Sequence, residues 1–133
     1  MIDQAACDRY TKRQADVTGI DFSKVSIRHA QDAATRERLA IRYVNQDYLD
    51  FETDARFDLV LMIMCDFCAL SPAQRQKMLG KFYTILQSGG SVLLDVYSLA
   101  AYEQQEETAS YEANLLDGFW SRERYYGFLN RFK

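Results

Sequence analysis

The chain has 133 residues, of which 48% are apolar and 26% are charged, and this composition predicts one domain with one buried core. The net charge of −3 argues against a nucleic-acid partner, which normally requires a basic face. No apolar run reaches the roughly 18 residues of a membrane span, and the amino terminus lacks the pattern of a signal peptide. Three cysteines do not form an even disulfide set, so we expect a reduced, cytoplasmic setting.

The first half of the chain alternates between helix-like and strand-like segments. A weakly patterned helix over residues 3–14 precedes a strand over residues 16–21. Ser23 is a candidate N-cap for a helix that runs to about Leu39, and residues 41–45 form the next strand. This alternation is the beginning of a parallel α/β pattern.

The second part of the pattern contains the strongest local signals. Residues 57–65 are apolar apart from Asp58, as expected of a strand that is buried on both faces. Residues 71–74, Ser-Pro-Ala-Gln, combine a capping serine, a proline at the first helical position and a capping-box glutamine. Ser-Gly-Gly at 88–90 is expected to end that helix, and residues 92–97 form another buried strand.

The pattern changes after Ser98. Residues 99–116 carry an acidic cluster and only a thin apolar stripe, which we interpret as a surface helix or helical insertion. Residues 118–132 are rich in aromatic side chains and are predicted to form one or two antiparallel strands.

An acidic residue follows three of the strand-like runs. These residues are Asp21, Asp47 and Asp66. In an open parallel sheet, ligands bind at the carboxyl ends of the strands, so these carboxylates could converge on one hydroxyl-rich ligand such as a nucleoside. No glycine-rich loop precedes the first of these strands, since Gly19 is the first glycine in the chain.

The order and spacing of these segments resemble a class I S-adenosylmethionine-dependent methyltransferase. The matching runs are residues 17–23, 43–49, 57–62 and 86–95, and the resemblance covers roughly residues 16–98. It implies an α/β, Rossmann-like fold with a mostly parallel sheet and flanking helices, within a single domain over residues 1–133. It also implies that the fold is incomplete at both ends.

The resemblance implies S-adenosylmethionine as the cofactor and assigns residues to it. The family's ribose-binding acid corresponds to Asp21, and Phe22 would lie against the adenine. Asp47, flanked by Gln46 and Tyr48, would accept a hydrogen bond from the adenine amino group. Met64 and Cys65 would lie near the methionine part of the cofactor. Methyl transfer of this kind needs few catalytic side chains, so the catalytic residues stay unassigned, and no metal is expected.

The family's first strand and its glycine-rich loop would be expected before Asp16, where this sequence has neither. The strands ending at Asp21 and near Cys65 would then lack their common neighbour. They could pair directly, accept the aromatic segment 118–132, or associate with a second copy through exposed sheet edges. We expect self-association.

The function implied is methyl transfer to an unidentified, small-molecule acceptor, with weak activity in this chain alone. One alternative is a nicotinamide- or flavin-binding Rossmann oxidoreductase, in which Asp21 would also bind ribose. Another is a non-catalytic remnant that acts as an oligomeric or interaction module. The spacing of Cys65 and Cys68 is formally that of a metal or redox pair, but buried thiols are the simpler interpretation.

Overall fold

The structure is a computed structural model that describes residues 4–115 and 123–131. The chain divides into two compact units, Met1–Val96 and Tyr97–Lys133. In chain order the elements are α1 (Gln4–Thr11), β1 (Val17–Asp21), α2 (Lys24–Glu37), β2 (Ile41–Asn45), β3 (Phe57–Met62), α3 (Asp66–Ala69), α4 (Pro72–Ile85), β4 (Leu86–Leu94), α5 (Leu99–Glu103), β5 (Thr108–Leu115) and β6 (Tyr125–Arg131).

The first unit contains two parallel strand pairs. In one pair Asp21 of β1 lies opposite Asn45 of β2, and in the other Met62 of β3 lies opposite Leu94 of β4. The predicted α/β class and the parallel pairing are therefore confirmed. Within the described part of the chain the two pairs are not hydrogen-bonded to each other, so β1 and β3 each keep one edge without a strand partner.

Two helix starts follow the sequence signals. The Ser23 hydroxyl accepts a hydrogen bond from the Ser26 N–H at 3.2 Å and begins α2. At α4 the Ser71 hydroxyl accepts from the Gln74 N–H at 3.3 Å, and the Gln74 side-chain oxygen accepts from the Ser71 N–H at 2.9 Å. Both predicted caps are confirmed, because each serine satisfies an N–H that the helix itself cannot pair.

The predicted end of α4 at residues 88–90 is wrong. The helix ends at Ile85 and the chain enters β4 directly at Leu86. The glycine pair lies inside β4, where the ladder skips from Phe57–Leu86 to Leu59–Ser91. A Cβ on Gly90 would lie 3.0 Å from the Phe57 carbonyl oxygen, so this irregular stretch packs backbone against backbone.

The core of the first unit joins α4 to β3. Met62, Leu70, Met78 and Phe82 are buried together. Tyr48 and four other partly buried side chains pack against this cluster. The core therefore fixes the segment after β2 relative to the carboxyl end of β3.

The second unit corrects the prediction of a helical insertion over residues 99–116. Among residues 99–115 only the short α5 is helical, and Thr108–Leu115 is the strand β5, paired antiparallel with β6. The thin apolar stripe gives a helix little to bury, whereas β6 supplies hydrogen bonds and a stacked pair, Tyr111–Phe128, with ring centroids 6.3 Å apart. The predicted antiparallel aromatic strand is confirmed for β6, while residues 118–122 and 132 lie outside the described residues. The described part of segment 118–132 pairs with β5.

Candidate functional site

The carboxyl end of β1 is tied to its neighbours by Asp21. The Asp21 side chain is only 3% exposed, and its Oδ1 accepts a hydrogen bond from the Ser23 N–H at 2.7 Å. Its carbonyl oxygen accepts from the Asn45 side chain at 3.0 Å and from the Gln46 N–H at 3.1 Å. This residue therefore links the end of β1 to the end of β2 and to the start of α2. Phe22, the next residue, is 67% exposed.

The chain turns sharply after β2 and presents Asp47. Asp47 Oδ1 accepts from the Leu49 N–H at 2.8 Å, and its carbonyl oxygen accepts from the Asp50 N–H at 3.0 Å. The Gln46 side-chain amide donates to the Asp50 carbonyl oxygen at 3.1 Å. Asp47 and Gln46 are exposed, while Tyr48 turns inward and is half-buried against the core.

The carboxylates at the ends of three strands lie close enough to Tyr48 to affect the pKa of its hydroxyl group. Burial raises the pKa of the Tyr48 hydroxyl, and the negative charges of Asp66, Asp47 and Asp21 raise it further, in that order. Asp21 is the last residue of β1, whereas Asp47 follows β2 and Asp66 follows β3. A tyrosine is protonated at neutral pH even at its ordinary pKa of 10.0, and the upward shift of the pKa reinforces this, so Tyr48 presents a hydroxyl group among carboxylates.

The segment after β3 leaves the strand through a strained turn. Met64 has φ of +69° and Cys65 has φ of +58°, a left-handed conformation that is costly for residues with a side chain. This turn ends β3 at Met62, three residues before the predicted end at residue 65. The N–H groups of Met64 and Cys65 donate to the Asp95 carboxylate at 3.1 and 2.9 Å.

Asp95 is a candidate site residue to which the sequence pattern assigns no role. It directly follows β4 and lies at the same end of the β3–β4 pair as the turn after β3. The signal was available, because an acid that ends a strand is the same feature that singles out Asp21 and Asp47. What the sequence does not show is the contact across about thirty residues that brings Asp95 to the turn.

A cavity of about 760 Å³ lies between the two strand pairs. Its walls come from α1, β1, β3 and α4, and both Tyr48 and Asp66 line it. This volume is within the range of about 300–1,000 Å³ that is usual for small-molecule sites. Of the converging group, Tyr48 and Asp66 are thus at a cavity bordered by the open edges of β1 and β3.

The predicted site residues fall into two groups in the structure. Asp21, Asp47 and Tyr48 belong to the converging group, with Gln46 in the same turn and Phe22 exposed beside Asp21. Met64 and Cys65 form a second group, in which both N–H groups donate hydrogen bonds to the Asp95 carboxylate. Within residues 4–115 and 123–131, no three His, Cys, Asp or Glu side chains are arranged to hold a metal. None of the helices described is both long and apolar enough to cross a membrane.

Comparison with known proteins assigns the chain to a family. The model of the family described as methyltransferase domain matches residues 4–90. The chain therefore belongs to the methyltransferase domain family, and its Rossmann-like fold is the one that the resemblance implies. The match begins nearer the amino terminus than residue 16 and includes α1.

Two curated relatives illustrate the sequence similarity. The chain is 30% identical over 114 residues to the glycine/sarcosine N-methyltransferase of Aphanothece halophytica, covering 84% of this chain and 38% of the relative. It is 26% identical over 83 residues to the carboxy-S-adenosyl-L-methionine synthase of Nautilia profundicola, covering 62% of this chain and 35% of the relative. The chain thus spans less than half the length of these relatives.

Solved structures show the same fold at lower identity. An S-adenosylmethionine-dependent methyltransferase from Clostridium acetobutylicum superposes with a TM-score of 0.70 at 14% identity, covering 87% of this chain and 56% of that one. The glycopeptide N-methyltransferase MtfA complexed with S-adenosyl-L-methionine gives a TM-score of 0.60 at 18% identity, covering 92% of this chain and 57% of that one. At these identities the similarity concerns the fold.

Proposed function

We propose that this chain binds S-adenosylmethionine at the carboxyl ends of its strands and takes part in methyl transfer to a small-molecule acceptor. The observation that carries the proposal is the convergence of three strand-end carboxylates on Tyr48, beside a cavity of suitable volume. Family membership supports the same reaction. It gives no support to the nicotinamide- or flavin-dependent alternative.

The chemistry of this set of side chains fits the adenosyl part of the cofactor. Ribose hydroxyls and the adenine amino group are hydrogen-bond donors, and carboxylates are strong acceptors for them. Asp21 would hold the ribose, Asp47 the amino group, and the exposed Phe22 ring would cover the adenine. A positively charged sulfonium is also favoured near several carboxylates.

The same set of side chains fits a dinucleotide poorly. A diphosphate needs free backbone N–H groups at a helix start, with glycine allowing close approach. At the start of α2 the Asp21 carboxylate already accepts the Ser23 N–H, and the neighbouring acids would repel phosphate.

The Asp21 assignment requires a local movement. Its carboxylate is buried, so ribose hydroxyls could reach it only after covering side chains shift. The exposed neighbours Phe22, Gln46 and Asp47 are the residues that a ligand would meet first. We propose that adenosine binding begins on these residues and that Asp21 is engaged last.

The chain's contribution to the reaction is binding and orientation. When bound, the cofactor supplies a methyl group on a sulfonium, which an acceptor nucleophile displaces in line. Holding two reactants in this alignment accounts for much of the rate in such reactions, so few catalytic side chains are needed. Met64 and Cys65 would border the methionine part, and the protonated Tyr48 would donate a hydrogen bond within the site.

An amine nitrogen of a small molecule is the acceptor that we propose. Both the Aphanothece halophytica relative and MtfA are named N-methyltransferases. A negatively charged edge would also attract an ammonium compound before it loses its proton to become a nucleophile.

Calorimetry with S-adenosylhomocysteine and with NADH tests the cofactor assignment. We expect measurable binding of S-adenosylhomocysteine and at least about tenfold weaker binding of NADH, because only NADH brings a diphosphate to the acidic edge. Tighter binding of NADH would contradict the proposal. Binding of neither compound by well-folded protein would favour a non-catalytic interaction module.

We also propose that the open edges of β1 and β3 mediate self-association. Unpaired strand edges next to apolar surface favour pairing with another chain. We expect the weight-average mass to rise in light scattering over a tenfold range of concentration. Ile20→Lys, which places a charge in the cavity wall, should reduce this rise, whereas Val25→Lys on the exposed face of α2 should not. A monomer at every concentration would refute the proposal.

A further inference from the structure

The turn that follows β3 has an unfavourable backbone conformation at two successive residues. Met64 and Cys65 both adopt positive φ, although neither is glycine. A positive φ at a residue with a side chain is destabilising and persists only where the surroundings impose it. Met64 is also 61% exposed, so its own side chain does not anchor the turn in the core.

The Asp95 carboxylate supplies that constraint. Its Oδ1 accepts from the Cys65 N–H at 2.9 Å, and its Oδ2 accepts from the Met64 N–H at 3.1 Å. The Cys65 thiol also lies 3.7 Å from Oδ2. Two successive N–H groups aimed at one carboxylate form a small anion-binding concavity, and here the anion is a side chain of the chain itself.

The parallel register explains why Asp95 can reach this turn. Met62 lies opposite Leu94 in the β3–β4 pair, so the residue after each strand emerges at the same edge of the sheet. The turn leads directly into α3, whose first residue is Asp66. The Asp66 carboxylate is one of those whose charge raises the pKa of Tyr48. The conformation of residues 64 and 65 thus determines where Asp66 lies relative to Tyr48.

We infer that Asp95 is a positioning residue for the binding site. It holds the Met64–Cys65 turn in its left-handed conformation, and through that turn it places Asp66 beside Tyr48. This inference rests on the proposed function, because the turn matters to binding only if the ligand occupies this edge. Asp95 itself is not assigned a contact with the ligand.

The Asp95→Ala variant tests whether the Asp95 carboxylate holds the Met64–Cys65 turn. Asp95 is exposed and lies outside the core cluster, so its removal should leave the core packed and the far-UV circular dichroism unchanged. Amide hydrogen exchange by NMR should accelerate about tenfold or more at Met64 and Cys65, since both donors lose a charged acceptor. Amides of the β3–β4 ladder serve as the internal reference. Asp95→Asn retains one acceptor oxygen and should restore part of the protection.

Calorimetry with S-adenosylhomocysteine provides the functional measurement. We expect about tenfold weaker binding by Asp95→Ala, an intermediate value for Asp95→Asn, and unchanged binding by the matched control Asp54→Ala. Asp54 is an exposed acid in the loop before β3, at the other end of the strand.

The outcomes distinguish this inference from the proposed function. If exchange at Met64 and Cys65 is unchanged in Asp95→Ala, Asp95 does not hold the turn and the inference is overturned. If exchange accelerates while the affinity equals that of the parent, the turn is held but does not serve the site, and the inference again fails. If the parent protein itself does not bind, the proposed function fails first and the inference falls with it.

Discussion

Replacing Phe82 with alanine should lower the free energy of unfolding by about 3–5 kcal/mol, the usual loss for a large aromatic side chain in a packed core. Phe82 is 4% exposed and packs in the cluster that joins α4 to β3. Domains of this size have a total stability of only about 5–15 kcal/mol, so the variant should be close to unfolded in mild denaturant. Urea unfolding followed by circular dichroism measures the change.

Tyr83→Ala provides the matched control for Phe82. It removes an aromatic side chain from the adjacent position of α4, but Tyr83 is 86% exposed. Its removal should change stability by no more than about 0.5 kcal/mol. Equal losses in the two variants would mean that α4 does not bury the face that the structure shows.

Replacing Asp21 with alanine should weaken S-adenosylhomocysteine binding by about 1.5–3 kcal/mol, the usual value of a hydrogen bond to a charged group. In the proposed site Asp21 accepts hydrogen bonds from the ribose hydroxyls, and no other residue is assigned to them. Calorimetry on the variant and the parent measures the difference.

Two further variants separate ribose binding from a local structural effect of Asp21. Asp21→Asn keeps an oxygen that can accept the Ser23 N–H, so it should preserve the start of α2 while losing the charge. We expect it to bind weakly despite a normal melting temperature. Asp32→Ala, which removes an exposed acid from the middle of α2, should bind like the parent. Parent-like affinity in both Asp21 variants would exclude the ribose assignment.

Local signals predicted much of the fold because they depend on neighbouring residues alone. The Ser71 capping box and the Ser23 cap each involve residues three positions apart, and both form as expected. Strand β2 has the predicted bounds, 41–45. In these segments the sequence pattern and the final hydrogen bonds concern the same few residues.

The differences arise where distant contacts decide the conformation. The ends of β3 and α4 depend on pairing between β3 and β4, which places Gly90 against Phe57 and ends the strand at a turn held by Asp95. β5 forms a strand because β6 pairs with it. Neither partner can be identified from the local pattern of the segment itself.

In the candidate site, too, the features that depend on local residues were predictable and those that depend on distant contacts were not. Acids at strand ends are visible in the sequence, and Asp21, Asp47 and Asp66 do act on one group, Tyr48. The burial of Asp21 and the role of Asp95 are not visible, because they depend on how α2 and β3 meet their neighbours.

Amide chemical-shift mapping during titration with S-adenosylhomocysteine tests the central claim most directly. We expect the largest shifts at Phe22, over residues 46–48 and at Met64 and Cys65. Shifts confined to other parts of the chain, or their absence at saturating ligand, would contradict a cofactor site at the carboxyl ends of these strands.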